Sequence, residues 1–259
     1  MTATDRHPPR LTRRPDKEDL MLPIAKSELV QVLRDRAVLI TSLLMPLAAS
    51  AFFIGFRDVF AGIGSLGYVA AVLVFTIAAF SLYVATVTTL AGRRQSLFLK
   101  RLRSTAAGDA AILTGLVLPV TVIALVQVAV IVTTFAVVGG TPADVLLFVV
   151  AAVATFAMML ALGIGTAGVT TSPEHAQVTT FPLSLGTIAV ASWVGITGTQ
   201  DLAELKRIMP GGAATELMVG AWNGGLALGD ALLLLVPTAA WVVVAITIAA
   251  KMFRWEPRR

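Results

Sequence analysis

An all-α integral membrane protein with six transmembrane helices is the fold this sequence predicts. Three observations predict it. Of the 259 residues 57% are hydrophobic, with a mean hydropathy of +0.86. Only 14% are charged, against about a quarter in a soluble domain. Six apolar runs contain no Asp, Glu, Lys or Arg: Ala37–Phe56, Leu66–Ala91, Ala110–Val138, Val145–Thr171, Gln177–Gly198 and Ala231–Ala250. Crossing a hydrocarbon core of roughly 30 Å takes about 20 such residues. None of the runs shows the polar face, at a period near 3.6, of a soluble core helix. A helix satisfies its own backbone in lipid. The residue alternation of a transmembrane barrel is absent.

The elements follow in order. Residues 1–19 are basic and proline-rich and predict a disordered cytoplasmic tail near anionic lipid. Within residues 20–36, Pro23–Arg36 predicts an amphipathic interfacial helix with Pro23 at its first position. On a 100° wheel Ala25, Leu29, Val32 and Leu33 share one side, and Ser27, Gln31, Arg34 and Asp35 the other. The six-span region is 37–250, and a basic tail, 251–259, closes the chain. Placing both ends in the cytoplasm puts seventeen of the 20 Lys and Arg inside and three, Arg57, Lys206 and Arg207, outside. That asymmetry fixes the orientation. It also accounts for the net charge of +5 without a nucleic-acid partner.

Two connections are more than turns. The inner loop 92–109 contains RRQSLFLKRLRSTAAGD from Arg93 to Asp109. As a helix it puts Phe98, Leu99 and Leu102 on one side and Arg93, Lys100, Arg101 and Arg103 on the other, with Gly108 as a stop. An apolar ridge with a basic flank suits docking in a groove. Five cations that only enforce topology and touch headgroups are the plainer alternative. The outer insertion 199–230 is broken by Pro210-Gly211-Gly212, between Leu202, Leu205, Ile208 and Met209 on one side and Leu217, Met218, Val219 and Trp222 on the other. Two short helices dipping into the outer leaflet fit it, with Trp222 at headgroup level.

Much chemistry is excluded. There is no Cys, and the two His, His7 and His175, cannot make a metal cluster. No Gly-Lys pair exists to build a phosphate loop. No span carries the acid or His relay of an ion-coupled pump. Ser172-Pro173-Glu174 reads as a helix start, with Ser172 as cap. Gln127, in the third span, suits interhelical hydrogen bonding, with a substrate contact as the alternative. Ala157, Ala161 and Gly165 form a smooth stripe for close packing. On the fifth span, which has the richest set of Ser and Thr hydroxyls, Thr180, Ser184 and Thr187 share a side.

The arrangement resembles the permease subunit of a bacterial ABC transporter of the type-2 exporter class. Leu99-Lys100-Arg101-Leu102-Arg103-Ser104-Thr105 is similar to that family's LKRLRSTP coupling segment, with Ala106 in place of the proline. The pattern Glu28, Leu29, Leu33, Arg34, Asp35 is similar to its E…LLRD elbow. Pro182-Leu183-Ser184-Leu185-Gly186 and Met209-Pro210 resemble its fifth-span and outer-insertion motifs.

The resemblance covers residues 20–255 and implies a mechanism. A separate ATPase subunit, in two copies, would bind ATP and Mg, so this chain binds no cofactor itself and is not an enzyme. A second permease subunit, identical or related, would complete a path for a hydrophobic or amphipathic cargo. Arg94, Leu97, Phe98, Leu99, Lys100, Arg101, Leu102 and Arg103 would couple to the ATPase. Gln127, Thr180, Ser184 and Thr187 would line the path. A gradient-driven or facilitative six-span carrier is the main alternative. A membrane-embedded enzyme ranks lower, because Gly62-Ile63-Gly64-Ser65 has the wrong order for a serine protease and no span holds a histidine.

Overall fold

The computed structural model describes residues 21–34, 43–104, 108–253 and 255. Among the described residues every regular element is a helix: α1 Met21–Arg34, α2 Met45–Gly55, α3 Arg57–Ile63, α4 Leu66–Gln95, α5 Phe98–Arg103, α6 Asp109–Gly139, α7 Val145–Ala167, α8 Pro173–Thr197, α9 Ala203–Ile208, α10 Gly212–Asn223 and α11 Leu228–Met252. Five of these, α4, α6, α7, α8 and α11, are long and apolar enough to cross a membrane. This is an all-helical, multi-pass membrane protein. The basic tail 1–19 and the start of the first predicted span lie outside the described residues.

The helix of the first predicted span stops at its expected end, Phe56, but a short helix, α3, follows it at once, and α2 and α3 meet at 75°. Together they reach the length of a sixth crossing only if the bent pair is one span. Phe52, Phe53, Phe56 and Phe60 cluster around the bend, with centroids 4.7–5.8 Å apart. Arg57 and Asp58 sit just beyond it, and charged side chains favour leaving hydrocarbon there.

α4 is the axis of the bundle. α2, α3, α6, α7, α8 and α10 all pack on it, and Val69–Phe75 is fully buried. It runs past its predicted end at Ala91 to Gln95 and carries a π-helical turn over Ala78–Val84. Ser65 caps its start by accepting from the Tyr68 amide at 3.1 Å. Asn223 of α10 clamps the same end, donating to Ser65 Oγ at 2.9 Å and accepting from the Gly67 amide at 3.0 Å. α7 and α11 pack extensively on each other. One residue of the expected small-residue stripe lies in that contact: Gly165 faces Ile248 and Ala249 of α11. Gly168 lies against the Met252 carbonyl, where a Cβ has no room.

Caps set other boundaries. Asp144 starts α7, accepting from the Leu147 amide at 2.9 Å. Ser172 starts α8 as its spacing predicted, accepting from the His175 amide at 3.3 Å. Residues 199–230 include the two short helices expected there, α9 and α10. Trp222 differs. It is 4% exposed, held between Phe135 of α6 and Phe148 of α7 at 5.1 and 5.3 Å. Two facing aromatics outcompete the interface for it.

Candidate functional site

At one end of the bundle a second, smaller core collects residues far apart in sequence. Ile24 of α1, Leu90 of α4, Leu99 of α5, Ile112 and Leu116 of α6 and Ala167 of α7 pack together, with Phe253 and Trp255 against them. α5 sits on this core. A turn at Ser96-Leu97 sets its direction, and Leu97 takes left-handed backbone at φ 57°. That conformation is uncommon for a residue bearing a side chain.

α5 has the two predicted faces, but its apolar face is turned onto this chain. Leu99 is fully buried in the chain's own core, with Phe98 and Leu102 half-buried beside it. The expected apolar ridge is therefore the root of the helix, not its tip. Leu97, Lys100, Arg101 and Ser104 face outward. Arg103 is anchored sideways. It pairs with Asp109 at 3.2 and 3.3 Å and lies 5.1 Å from the Trp255 ring. Arg93 lies 5.4 Å from the Phe98 ring. Thr105 and Ala106 lie outside the described residues.

Arg94 leaves the predicted set. It is 2% exposed and donates to the carbonyls of Gly168, at 3.2 Å, and Thr170. Those carbonyls follow the last turn of α7. A guanidinium there satisfies acceptors that a helix end leaves open and faces the negative end of its dipole. Arg94 thus ties the end of α4 to the end of α7.

The helix predicted over Pro23–Arg36 begins two residues earlier, at Met21. Pro23 still falls in the first turn, where its missing amide is tolerated. Ile24 and Ala25 are buried against α6 while Leu29 and Val30 are exposed, so the covered face is turned from the predicted one. Arg34 is exposed. The side chains of Glu28 and Leu33 fall outside the described set.

Within the bundle, Gln127 is buried. Its Oε1 accepts from Ser81 in the π turn, and its Nε2 donates to the Leu43 carbonyl at 3.4 Å. Both ends of the amide serve contacts within this chain. Thr180, Ser184 and Thr187 do share a side, but it faces inward. All three are buried and donate to carbonyls one turn back, at 2.6, 2.9 and 3.0 Å. With its hydroxyls bonded to its own backbone, that side of the helix is apolar in effect and packs on α4. The uncovered side of α8 carries Val178, Phe181, Pro182 and Leu185.

At the opposite end a polar latch holds α9 and α10. Glu216 accepts from Arg207 at two 2.7 Å contacts and from Thr199 at 2.7 Å. Burial pushes the Glu216 carboxyl up, but the hydrogen bonds from Arg207 and Thr199 and the nearby positive charges more than offset this. They hold it below the usual carboxylate range. The hydrogen bond to Glu216 raises Arg207 correspondingly. Lys206 donates to Thr197 Oγ1 at 2.8 Å and to the Gly198 carbonyl at 2.6 Å. It closes the end of α8 as Arg94 closes that of α7.

Arg94 and Lys206 were legible only as loop cations, and no sequence signal marked Trp255 as a neighbour of Arg103. The spacing of Arg103 and Asp109 across Gly108 was the available hint of an ion pair. Among the described residues no group of His, Asp and Glu could hold a metal. Compared with known protein families and with characterised proteins, the sequence finds no match.

Proposed function

We propose that this chain is the permease subunit of an ATP-driven exporter of the ABC type-2 class, in a bacterial plasma membrane with both ends cytoplasmic. The bent α2–α3 pair counts as the first of six spans in this reading. The observation that carries it is α5. This six-residue helix is fixed at its root by Leu99 and by the Arg103–Asp109 pair. It presents Leu97, Lys100 and Arg101 outward. It also continues directly from α4, the span on which six other helices pack. A push on α5 therefore reaches the centre of the bundle.

The proposed cycle uses a separate ATPase in two copies, which binds ATP and Mg and closes. α5 follows that closure and biases the spans toward a second arrangement. This is population shift by differential contact. A second permease subunit, identical or related, completes the path. The cargo in this reading is hydrophobic or amphipathic, in keeping with apolar runs that carry no charged side chain.

The test is co-purification from detergent-solubilised membranes. An ATPase subunit is expected to accompany the protein, and the double change Lys100→Glu, Arg101→Glu is expected to release it without altering thermal stability. Export that continues with no ATPase attached would overturn the reading.

A further inference from the structure

α6 and α7 are consecutive and joined by residues 140–144, yet they hardly touch. Trp222 is the reason. It stands in the last turn of α10, with Phe135 of α6 on one side and Phe148 of α7 on the other. The connection is fixed to it by backbone bonds. The Ala143 amide donates to the Trp222 carbonyl at 3.1 Å, and the Asp144 amide to the Ala221 carbonyl at 2.8 Å. The three rings are buried and act as a wedge that keeps the two helices apart.

The separation leaves a groove of about 500 Å³ whose lining includes Leu125, Ala129 and Ala136 of α6 and Phe148, Ala152 and Phe156 of α7. The site does not depend on the exporter reading. We propose that it binds one acyl chain of a bilayer phospholipid.

Four observations support that occupant. The groove lies between two membrane-spanning helices, and its lining includes the exposed apolar side chains of Leu125, Val145, Val149 and Val153. In a membrane protein that surface faces hydrocarbon. From Leu125 to Ala136 the helix rises about 16 Å, and one leaflet of hydrocarbon is roughly 15 Å deep, half the bilayer core. The volume falls within the usual range of ligand sites, about 300–1,000 Å³. Water is a poor occupant, because it needs two to four polar partners and the only hydroxyls on the wall are Thr133 and Thr141. Thr141 and Pro142 mark the loop end of the groove, where the chain would meet its polar headgroup. The small side chains of Ala129, Ala136 and Ala152 leave the space that a longer residue would fill.

Trp222 supplies the readout. Changing Trp193, Trp241 and Trp255 to Phe leaves it as the sole tryptophan. The protein is reconstituted in phosphatidylcholine vesicles with or without bromine midway along one acyl chain. Brominated lipid is expected to quench Trp222, and Ala129→Leu with Ala152→Leu is expected to remove most of that quenching. An unchanged emission maximum in unbrominated vesicles checks that the wedge is intact. Ala136→Leu, which fills only the loop end, serves as a second variant should the double change disturb folding. Equal quenching in filled and unfilled proteins would show general lipid contact and overturn the proposal. No quenching in either, as a protein helix seated in the groove would give, overturns it as well.

Discussion

Arg94 donates to the carbonyl oxygen of Gly168 at 3.2 Å, across 74 residues of chain. The guanidinium is buried at the junction of α4 and α7, so its role is internal. Arg94→Met leaves the Gly168 and Thr170 carbonyls without this donor, at about 1–3 kcal/mol for each buried group left unsatisfied. A clear fall in thermal midpoint in detergent is expected. Arg94→Lys is expected to recover only part of it, because an ammonium lacks the fork that reaches two carbonyls. An unchanged midpoint for Arg94→Met would place the guanidinium outside the fold's support.

Glycine is required where α7 ends against α11. A Cβ at position 168 collides with the Met252 carbonyl, and backbone cannot swing aside as a side chain can. Gly168→Ala is expected to destabilise more than Gly186→Ala, since Gly186 has open space beside it. Melting curves of the two variants under one detergent condition make the comparison.

The Glu216 latch predicts a pH dependence with a definite sign. Its carboxyl is held below the ordinary range in the folded protein. The stabilisation is therefore complete above the unfolded carboxylate value, about 4.3, and is lost as pH falls through the lower folded value. At neutral pH the protein is expected to melt above its Glu216→Gln variant. The gap should close on acidification below the carboxylate range. A gap that widens with acid would refute the assignment.

The hydroxyls of α8 bond to their own helix, so removing them without changing shape should matter little. Thr180→Val and Ser184→Ala are expected to stay within roughly 1 kcal/mol of the parent, the net worth of an ordinary hydrogen bond. Thr187→Leu enlarges a fully buried residue and is expected to cost about 1–3 kcal/mol by overpacking. Denaturation midpoints in mild detergent separate the cases.

Gln127→Leu removes both the Ser81 contact and the bond to the Leu43 carbonyl. A loss of on the order of 0.6–2 kcal/mol is expected, the range for interhelical polar contacts in membranes. The same measurement on Ser81→Ala, which leaves the buried Gln127 Oε1 without this donor, should also show a loss.

The long helices were legible because hydrophobicity sustained over 20 residues is a one-dimensional signal. α6 begins and ends within a residue of its predicted run, and Ser172 and Pro173 marked the start of α8. What could not be read is which neighbour covers each face. Leu99 and Trp222 each had two apolar destinations, a partner or lipid on one hand and this chain on the other. Only the tertiary arrangement decides between them. The same holds for Thr180, Ser184 and Thr187. Their shared side was visible on a wheel, but in a span hydrophobic all round no moment says which way it turns. The apolar run ends at Phe56 and Arg57 and Asp58 follow, so the break was legible there, but the short helix α3 beyond it carried no signal of its own.

The burial of α4 on every side has a consequence for synthesis. It emerges from the ribosome before α7, α8 and α10, the helices that later enclose it. Until they arrive, its surface must be tolerated by lipid or held by an insertase. Truncating nascent chains before Asn223 should therefore leave α4 open to protease or to hydrophobic crosslinkers, and lengthening them past that point should shield it.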